Sequence, residues 1–271
     1  MRVVGILAAI LFASCTLAPD LKPAAVVSFP TERIPEASGI VPALEQPGIF
    51  WLISDSGNPP ELVAIDARGQ VRGVCSLSGV INADWEALTR RPDGTLVIGD
   101  LGNNLHRRRD QRILVLEEPA PGQTVADPGG TYPLVWPADS PWSPRTPDVE
   151  ALFSVGDSLW ALTKQNDDET WLLRLEISGG VVHPLPVQSV TLPGLVTGAD
   201  YSAERRQVAV LTYTGIYIYD WRRDPPHLAD RPRRLRPIWF QQAEGICWDG
   251  NTLRVVNEQG RMKTWTVAPE K

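Results

Sequence analysis

Short apolar runs separated by turn residues dominate the chain. Ile49–Ser54, Thr95–Gly99, Ser158–Thr163, Gln207–Thr212 and Thr252–Asn257 are β-branched, leucine-rich or aromatic, and polar or glycine-containing segments bound them. Runs of this length and composition predict strands rather than helices. A carboxylate heads the segment before each run: Glu36-Ala-Ser-Gly-Ile, Glu86-Ala-Leu-Thr, Glu150-Ala-Leu-Phe, Asp200-Tyr-Ser and Glu244-Gly-Ile-Cys-Trp. The heads are 50, 64, 50 and 44 residues apart, the period of four-stranded propeller blades. Further strands are predicted at Glu61–Asp66, Val71–Leu77, Arg112–Leu116, Thr131–Val135, Trp171–Ile177, Val187–Leu192, Gly215–Asp220, Arg234–Trp239 and Met262–Val267.

The last blade is then one strand short, and Ala24–Phe29 near the N-terminus supplies it. Pairing the two ends of the chain removes the exposed edges an open sheet would carry. The expected architecture is all-β, a five-bladed β-propeller over residues 24–268. Six blades would need another head, and an irregular β-sandwich is the alternative that lacks this closure.

Composition narrows the picture. Twenty-five prolines and 22 glycines interrupt any long helix and exclude an α-bundle or coiled coil. A hydrophobic fraction of 43% excludes disorder, and 26 basic against 32 acidic residues exclude a nucleic-acid partner.

Residues 1–14 carry one positive charge and then an apolar run too short to span a bilayer, as a signal peptide does. The run ends in Phe12-Ala13-Ser14-Cys15, which resembles a bacterial lipobox. This predicts lipidation of Cys15, a linker over 15–23 and a cell-envelope location anchored through lipid. In a Gram-negative source, Thr16 fits the outer membrane, with the domain facing the periplasm or the outside. Ordinary signal-peptidase cleavage a few residues later is the alternative. Cys75 and Cys247 fall on strands too far apart to pair, so both read as free buried thiols.

The first strand of each blade lines a propeller's channel, and alternate side chains on it face the axis. The heads would therefore form a ring of Glu36, Glu86, Glu150, Asp200 and Glu244, with Ile34, Asp84, Asp148, Gly198 and Gln242 two positions earlier on the same face. Carboxylates about 6 Å apart repel by roughly 3 kcal/mol per pair at an effective dielectric of ~20. A hard oxygen-seeking cation relieves this, and calcium is the cation that an exported protein meets. Hydration, partial protonation or bonds to inner-strand amides are the other ways out. Zinc fits poorly, because His106, His183 and His227 all lie away from the heads.

Loops that leave the second strand of each blade return to the same face, which brings Asp55, Asp100, Asn103 and Glu258 to the channel mouth beside Asp84 and Asp148. After Asp100 the chain runs through His106 to Arg107-Arg108-Arg109, a basic loop that could receive a small anion such as a phosphoester or stay solvated. Glu86, Asp100 and Arg107 are the catalytic candidates on the phosphoester reading. On the opposite face Arg222, Arg223, Arg231, Arg233, Arg234 and Arg236 form either a surface for anionic headgroups or a solvated loop.

Together these motifs resemble an exported bacterial group of propellers, the phytase-like (esterase-like phytase) and SdiA-regulated families. Glu-Ala-Ser-Gly-Ile before Ile-Ser-Asp-Ser-Gly-Asn, Asp84-Trp-Glu-Ala-Leu before Gly-Asp-Leu-Gly-Asn-Asn, Val196-Thr-Gly-Ala-Asp-Tyr-Ser and Gln242-Ala-Glu-Gly-Ile carry the likeness. The resemblance implies a propeller with calcium in its channel, held by acids among Glu36, Glu86, Glu150, Asp200 and Glu244. Asn103 and Lys164-Gln165 stand where many relatives have acids, a departure from a multi-calcium catalytic site. Three functions are open. One is a monomeric, lipid-anchored calcium-binding module for a small anionic ligand or an envelope protein. Another is a calcium-dependent phosphoester hydrolase; a sugar or lactone enzyme is a third. No Gly-x-Ser-x-Gly elbow is present.

Overall fold

The chain is seen here in a computed structural model that describes residues 21–164, 169–224, 226, 228, 232 and 234–268. The signal segment, Cys15, Gln165, Asn166, Arg231 and Arg233 lie outside the described residues, as do the side chains of Arg234 and Arg236.

Every element among the described residues is a strand, and the strands form five sheets. Blade one runs outward through β2 (Ala37–Pro42), β3 (Ile49–Ser54), β4 (Glu61–Asp66) and β5 (Val71–Leu77). Blade two orders β6 (Trp85–Arg90), β7 (Leu96–Asp100), β8 (Arg112–Leu116) and β10 (Gly130–Pro133). Blade three holds β11 (Asp148–Val155), β12 (Ser158–Lys164), β13 (Glu169–Ser178) and β14 (Val181–Thr191). Blade four holds β15 (Val196–Ser202), β16 (Gln207–Thr212), β17 (Gly215–Asp220) and β18 (Arg234–Pro237). Blade five joins β19 (Ala243–Asp249), β20 (Thr252–Asn257) and β21 (Arg261–Val267) to β1 (Leu21–Ser28), the first described strand. β1 lies antiparallel to β21, from Leu21 opposite Val267 to Ser28 opposite Arg261. The expected closure is therefore present, and the fold is a five-bladed propeller.

Five apolar clusters fill the spaces between neighbouring blades. Trp51 and Ile53 meet Trp85 and Leu88 between blades one and two, while Phe50 and Ile40 meet Cys247 and Met262 between blades five and one. An open arc of five blades would have four such interfaces; the fifth makes the ring continuous. Cys75 and Cys247 are free and buried, and burial raises both thiol pKa values.

Two elements differ most from the expected ones, while the ends of β1, β10, β13 and β18 shift by one to three residues. β14 begins at Val181 rather than Val187, because Gly179 and Gly180 (φ +58° and +80°) turn the chain in two residues. Pro184 and Pro186 hide that start, yet both are tolerated on an outer strand with one free edge. The two-residue strand β9 (Val125–Ala126) lies parallel to β5 and straps the chain of blade two onto the rim of blade one.

The inner strands approach one another closely, and small residues permit it. A Cβ on Gly39 would lie 2.9 Å from Ile53 Cγ1, Leu88 Cβ and the Leu88 backbone nitrogen. Gly245 is similarly confined, with Val256 at 2.8 Å and the Gly39 backbone at 3.2 Å. Gly73, on an outer strand, would meet only Ala64 at 3.9 Å. Gly39→Ala is accordingly expected to lower stability by about 1–3 kcal/mol through overpacking, and Gly73→Ala to change it by less than about 0.5 kcal/mol. Urea denaturation of the two variants checks this; equal midpoints would remove the close-packing argument.

Candidate metal centre

The register of each inner strand carries the same irregularity. Ala37 pairs with Ser54 and Gly39 with Ile53, so Ser38 is an extra residue without an opposite number. Glu86, Glu150, Thr197 and Glu244 are the extra residues at the same place in the other four blades. A bulge of this kind re-aims a side chain, and here it turns one residue per blade toward the axis. The ring is thus Ser38, Glu86, Glu150, Thr197 and Glu244. Ser38 donates to the Trp85 carbonyl and Thr197 to the Ala243 carbonyl, each at 2.6 Å and each reaching the residue before the next blade's glutamate.

Two of the five expected ring members stand elsewhere. Glu36 lies two residues before Ser38, exposed at the rim with φ +49°, and accepts a hydrogen bond from Asn58 Nδ2 at 3.2 Å. Asp200 lies three residues beyond Thr197, about 10 Å along the strand. Its Oδ2 accepts the Trp248 amide at 2.7 Å, and burial lifts its pKa to about 7. Matching acid to acid mis-registers blades one and four. The correct signal is the small residue after each bulge: Gly39, Ala87, Ala151, Gly198 and Gly245. In that register the tier above the ring is Glu36, Asp84, Asp148, Leu195 and Gln242. Ile34, expected there, is instead buried between blades five and one.

A further equivalent position follows the second strand of each blade, where the chain turns back at the mouth. Asp55, Leu101, Tyr213 and Glu258 occupy it, their amides bonded to the carbonyls of Glu36, Asp84, Leu195 and Gln242. In blade three the residue is Lys164, opposite Asp148. The three tiers converge on an acidic bowl, and buried Ile40, Leu88, Leu152, Ala199 and Ile246 line the cavity at its base. At the level of the ring the cavity measures about 10 Å³, room for one water-sized occupant.

The bowl has two unlike halves. On one side Asp55, Asp84 and Glu86 bring one carboxylate oxygen each to within 4.8 Å of one another. Burial raises the pKa of all three; repulsion from Glu36 adds to it at Asp55, from Asp55 at Asp84, and from Asp55 and Asp84 at Glu86, so Asp84 is pushed up to about 6 and Glu86 well above the usual range. Gly102 stands against this triad, its missing Cβ only 2.4 Å from Asp84 Oδ2 and 2.6 Å from Glu86 Oε1. On the other side Lys164 Nζ lies 3.1 Å from Glu150 Oε1, and the Tyr213 hydroxyl donates to Glu244 Oε1 at 2.6 Å. Burial disfavours the Lys164 charge, but Glu150 and Glu244 more than offset this and raise its pKa. Glu244 is pushed up to about 7 by burial, with Lys164 and the Tyr213 bond pulling it back.

Glu244 Oε2 is buried with no hydrogen-bond partner, and Glu150 Oε1 has only the ion pair. Buried carboxylate oxygens left in this state are costly. Oxygens bound to one ion by bonds of about 2.4 Å can lie no more than about 4.8 Å apart, a limit the triad meets. The donor set is all-oxygen, so Asp55, Asp84 and Glu86 fit a hard divalent cation.

Most of the remaining predicted residues have structural partners. Asp100 is fully buried; its Oδ1 takes the Asp84 amide and Arg108, and its Oδ2 takes Arg112. Asn103 joins the loop after β7 to the segment before β11, its amide bonding Asp148 Oδ1 and its Nδ2 bonding Thr146. His106 Nδ1 lies 3.0 Å from the Thr146 carbonyl, and Arg109 bonds Thr146 and Pro144. Arg107 is exposed. Of the catalytic candidates only Glu86 faces the bowl, while Asp100 has both oxygens engaged. Glu258, the last predicted mouth residue, accepts from Gln242 Nε2.

No family model matches the chain, and no curated protein matches it in sequence. Among solved structures, a structural-genomics target described as a candidate gluconolactonase aligns with a TM-score of 0.51 at 14% identity, over 92% of this chain and 94% of that one. A gluconolactonase from Xanthomonas campestris aligns at 0.49 and 12% identity, over 86% and 72%. Virginiamycin B lyase from Staphylococcus aureus aligns at 0.45 and 12%, over 92% and 100%. The first of these likenesses supports the propeller fold and nothing finer.

The raised carboxyl pKa values set a pH dependence. Asp84, Asp200 and Glu244 start from 3.8, 3.8 and 4.5 when unfolded and rise to about 6, 7 and 7. Their contribution is fully present below the unfolded values and is lost as pH climbs through the folded ones. Without divalent cations the thermal midpoint is expected to fall between about pH 4 and pH 7.5. Glu244→Gln should flatten the fall and leave the midpoint at pH 7.5 higher than that of the parent chain; scanning calorimetry in chelator measures both.

Proposed function

We propose that the chain is an exported, lipid-anchored propeller that binds a divalent cation, calcium in the envelope, at Asp55, Asp84 and Glu86 and offers it to a small ligand or an envelope partner. The observation that carries this reading is the triad itself: three crowded carboxylate oxygens against a glycine that leaves their shared space open. The resemblance of the inner-strand motifs to phytase-like propellers points the same way. When bound, the cation would supply positive charge that lets the triad ionise together and would polarise a ligand oxygen. The protein's part is to hold the three oxygens, to exclude bulk water from beneath them with the apolar plug, and to keep Arg108 occupied.

The phosphoester-hydrolase alternative has less support. Arg108 and Arg112 spend their charge on Asp100, and Arg109 is held by Thr146 and Pro144. Glu36 and Glu258 add further negative charge at the rim. A ligand with hydroxyl or cationic groups suits such a mouth better than a phosphate does.

Calcium is expected to raise the thermal midpoint at pH 7.5. Glu86→Gln should weaken calcium affinity by about 10- to 100-fold or more, Gly102→Ala should weaken it by filling the shared space, and Asp200→Asn should leave it unchanged. Isothermal titration tests the series, and equal affinities in all four proteins would refute the site. The anchor has a separate test: Cys15→Ala should move the protein from the membrane fraction to the soluble fraction, and continued sedimentation with membranes would count against lipidation.

A further inference from the structure

Lys164, the last residue of β12 and opposite Asp148, stands in the position that Asp55 occupies in blade one. Around that tier the residues are Asp55, Leu101, Lys164, Tyr213 and Glu258, so one blade places an ammonium where two others place carboxylates. The ammonium points at Glu150, 3.1 Å away, and lies 3.5 Å from the Tyr213 hydroxyl, which in turn donates to Glu244. Glu150 and Glu244 belong to the same ring as Glu86 and are 1% and 6% exposed; Glu150 Oε1 has only the Lys164 ion pair, and Glu244 Oε2 has no hydrogen-bond partner. Among the described residues no lysine makes an ion pair with Asp55, Asp84 or Glu86; Arg108 is 3.7 Å from Asp84 and closer to Asp100. Both halves of the bowl are rich in carboxylates, but Lys164 makes its direct ion pair on the Glu150 side, and its charge acts on Glu150 and Glu244 ahead of Glu86.

We infer that Lys164 is a built-in counterion that takes the place of a second metal ion, so the native chain binds one divalent cation, and that removing the ammonium opens a second site between Glu150 and Glu244. The inference rests on the metal-binding reading of Asp55, Asp84 and Glu86. Charge drives the substitution: two buried carboxylates that face a common space need about one compensating cation, and a tethered ammonium supplies it without the entropy cost of capturing an ion from solution. Geometry limits it, because a Lys side chain reaching Glu150 fills the volume a hydrated ion would need. Tyr213 supports the arrangement by bonding Glu244 from the same side, which leaves Oε2 as the open donor.

Equilibrium dialysis with calcium as the probe, on the full purified chain, counts ions per molecule. The native protein is expected to hold one, Lys164→Met two, and Lys164→Arg one, because the arginine keeps the charge. Lys164→Met combined with Glu150→Gln is expected to return to one, since the carboxylate that needed compensation is gone. A native count of zero would sink the metal-binding reading itself. A native count of one with Lys164→Met also at one would overturn the counterion role alone, as would two ions in the native chain. Where Lys164→Met unfolds in chelator, calcium should restore its near-ultraviolet circular dichroism. Failure of calcium to do so, with the Lys164→Met/Glu150→Gln double variant folding normally, would likewise overturn it.

Discussion

Five inner strands share one narrow axis, and the rest of the structure follows from how they are allowed to approach it. Each strand carries one bulged residue and then a glycine or alanine. The small residue lets the neighbouring backbone come close, and the bulge rotates the preceding side chain into the channel. Where that side chain is Ser38 or Thr197, it spends its hydroxyl on the next blade's backbone. Where it is glutamate, a carboxylate enters a confined, poorly hydrated space. Packing of the ring and crowding of charge are therefore one feature of the same five positions.

Charge is resolved differently on the two sides of the bowl. Blades three and four bring Lys164 and Tyr213 to Glu150 and Glu244, which neutralises part of the ring within the chain. Blades one and two bring Asp55 and Asp84 to Glu86 with little counter-charge, because Asp100 has drawn Arg108 and Arg112 to itself. Asp100 consequently acts as a sink for the basic residues near the mouth. It holds the loop after β7 in place and keeps Gly102 against the triad, so that a residue with no open lone pair still shapes the cation site.

The apolar plug beneath the ring adds a further consequence. Ile40, Leu88, Leu152 and Ile246, two residues beyond the bulges, line the ring-level cavity and are buried between the blades, so the carboxylates stand on an apolar floor. Asp200 lies beyond that plug and is bound to the Trp248 amide. Burial raises its pKa, and the Trp248 and Tyr201 amides, then Arg90, pull it back.

Blade number, closure and most strand limits were legible in the sequence, because strand length and turn chemistry are local. β3, β4, β5, β8, β16, β17 and β20 fall where the apolar runs predicted them. Prolines concealed the start of β14, and β9 was too short to leave a pattern. The acid-rich mouth was also legible as a set of residue types, but its membership was not. A repeated carboxylate is a conspicuous letter, yet the residue that decides register is the small one behind it, which only matters once two backbones touch. By itself the sequence determined that acids would gather at one end of a five-bladed ring, since period and alternation are properties of the chain. The tertiary structure alone decided that Asp55 and Asp84 join Glu86 while Asp200 does not, and that Lys164 faces Glu150. Those pairings depend on bulges and on contacts between blades some fifty residues apart, which no local pattern encodes.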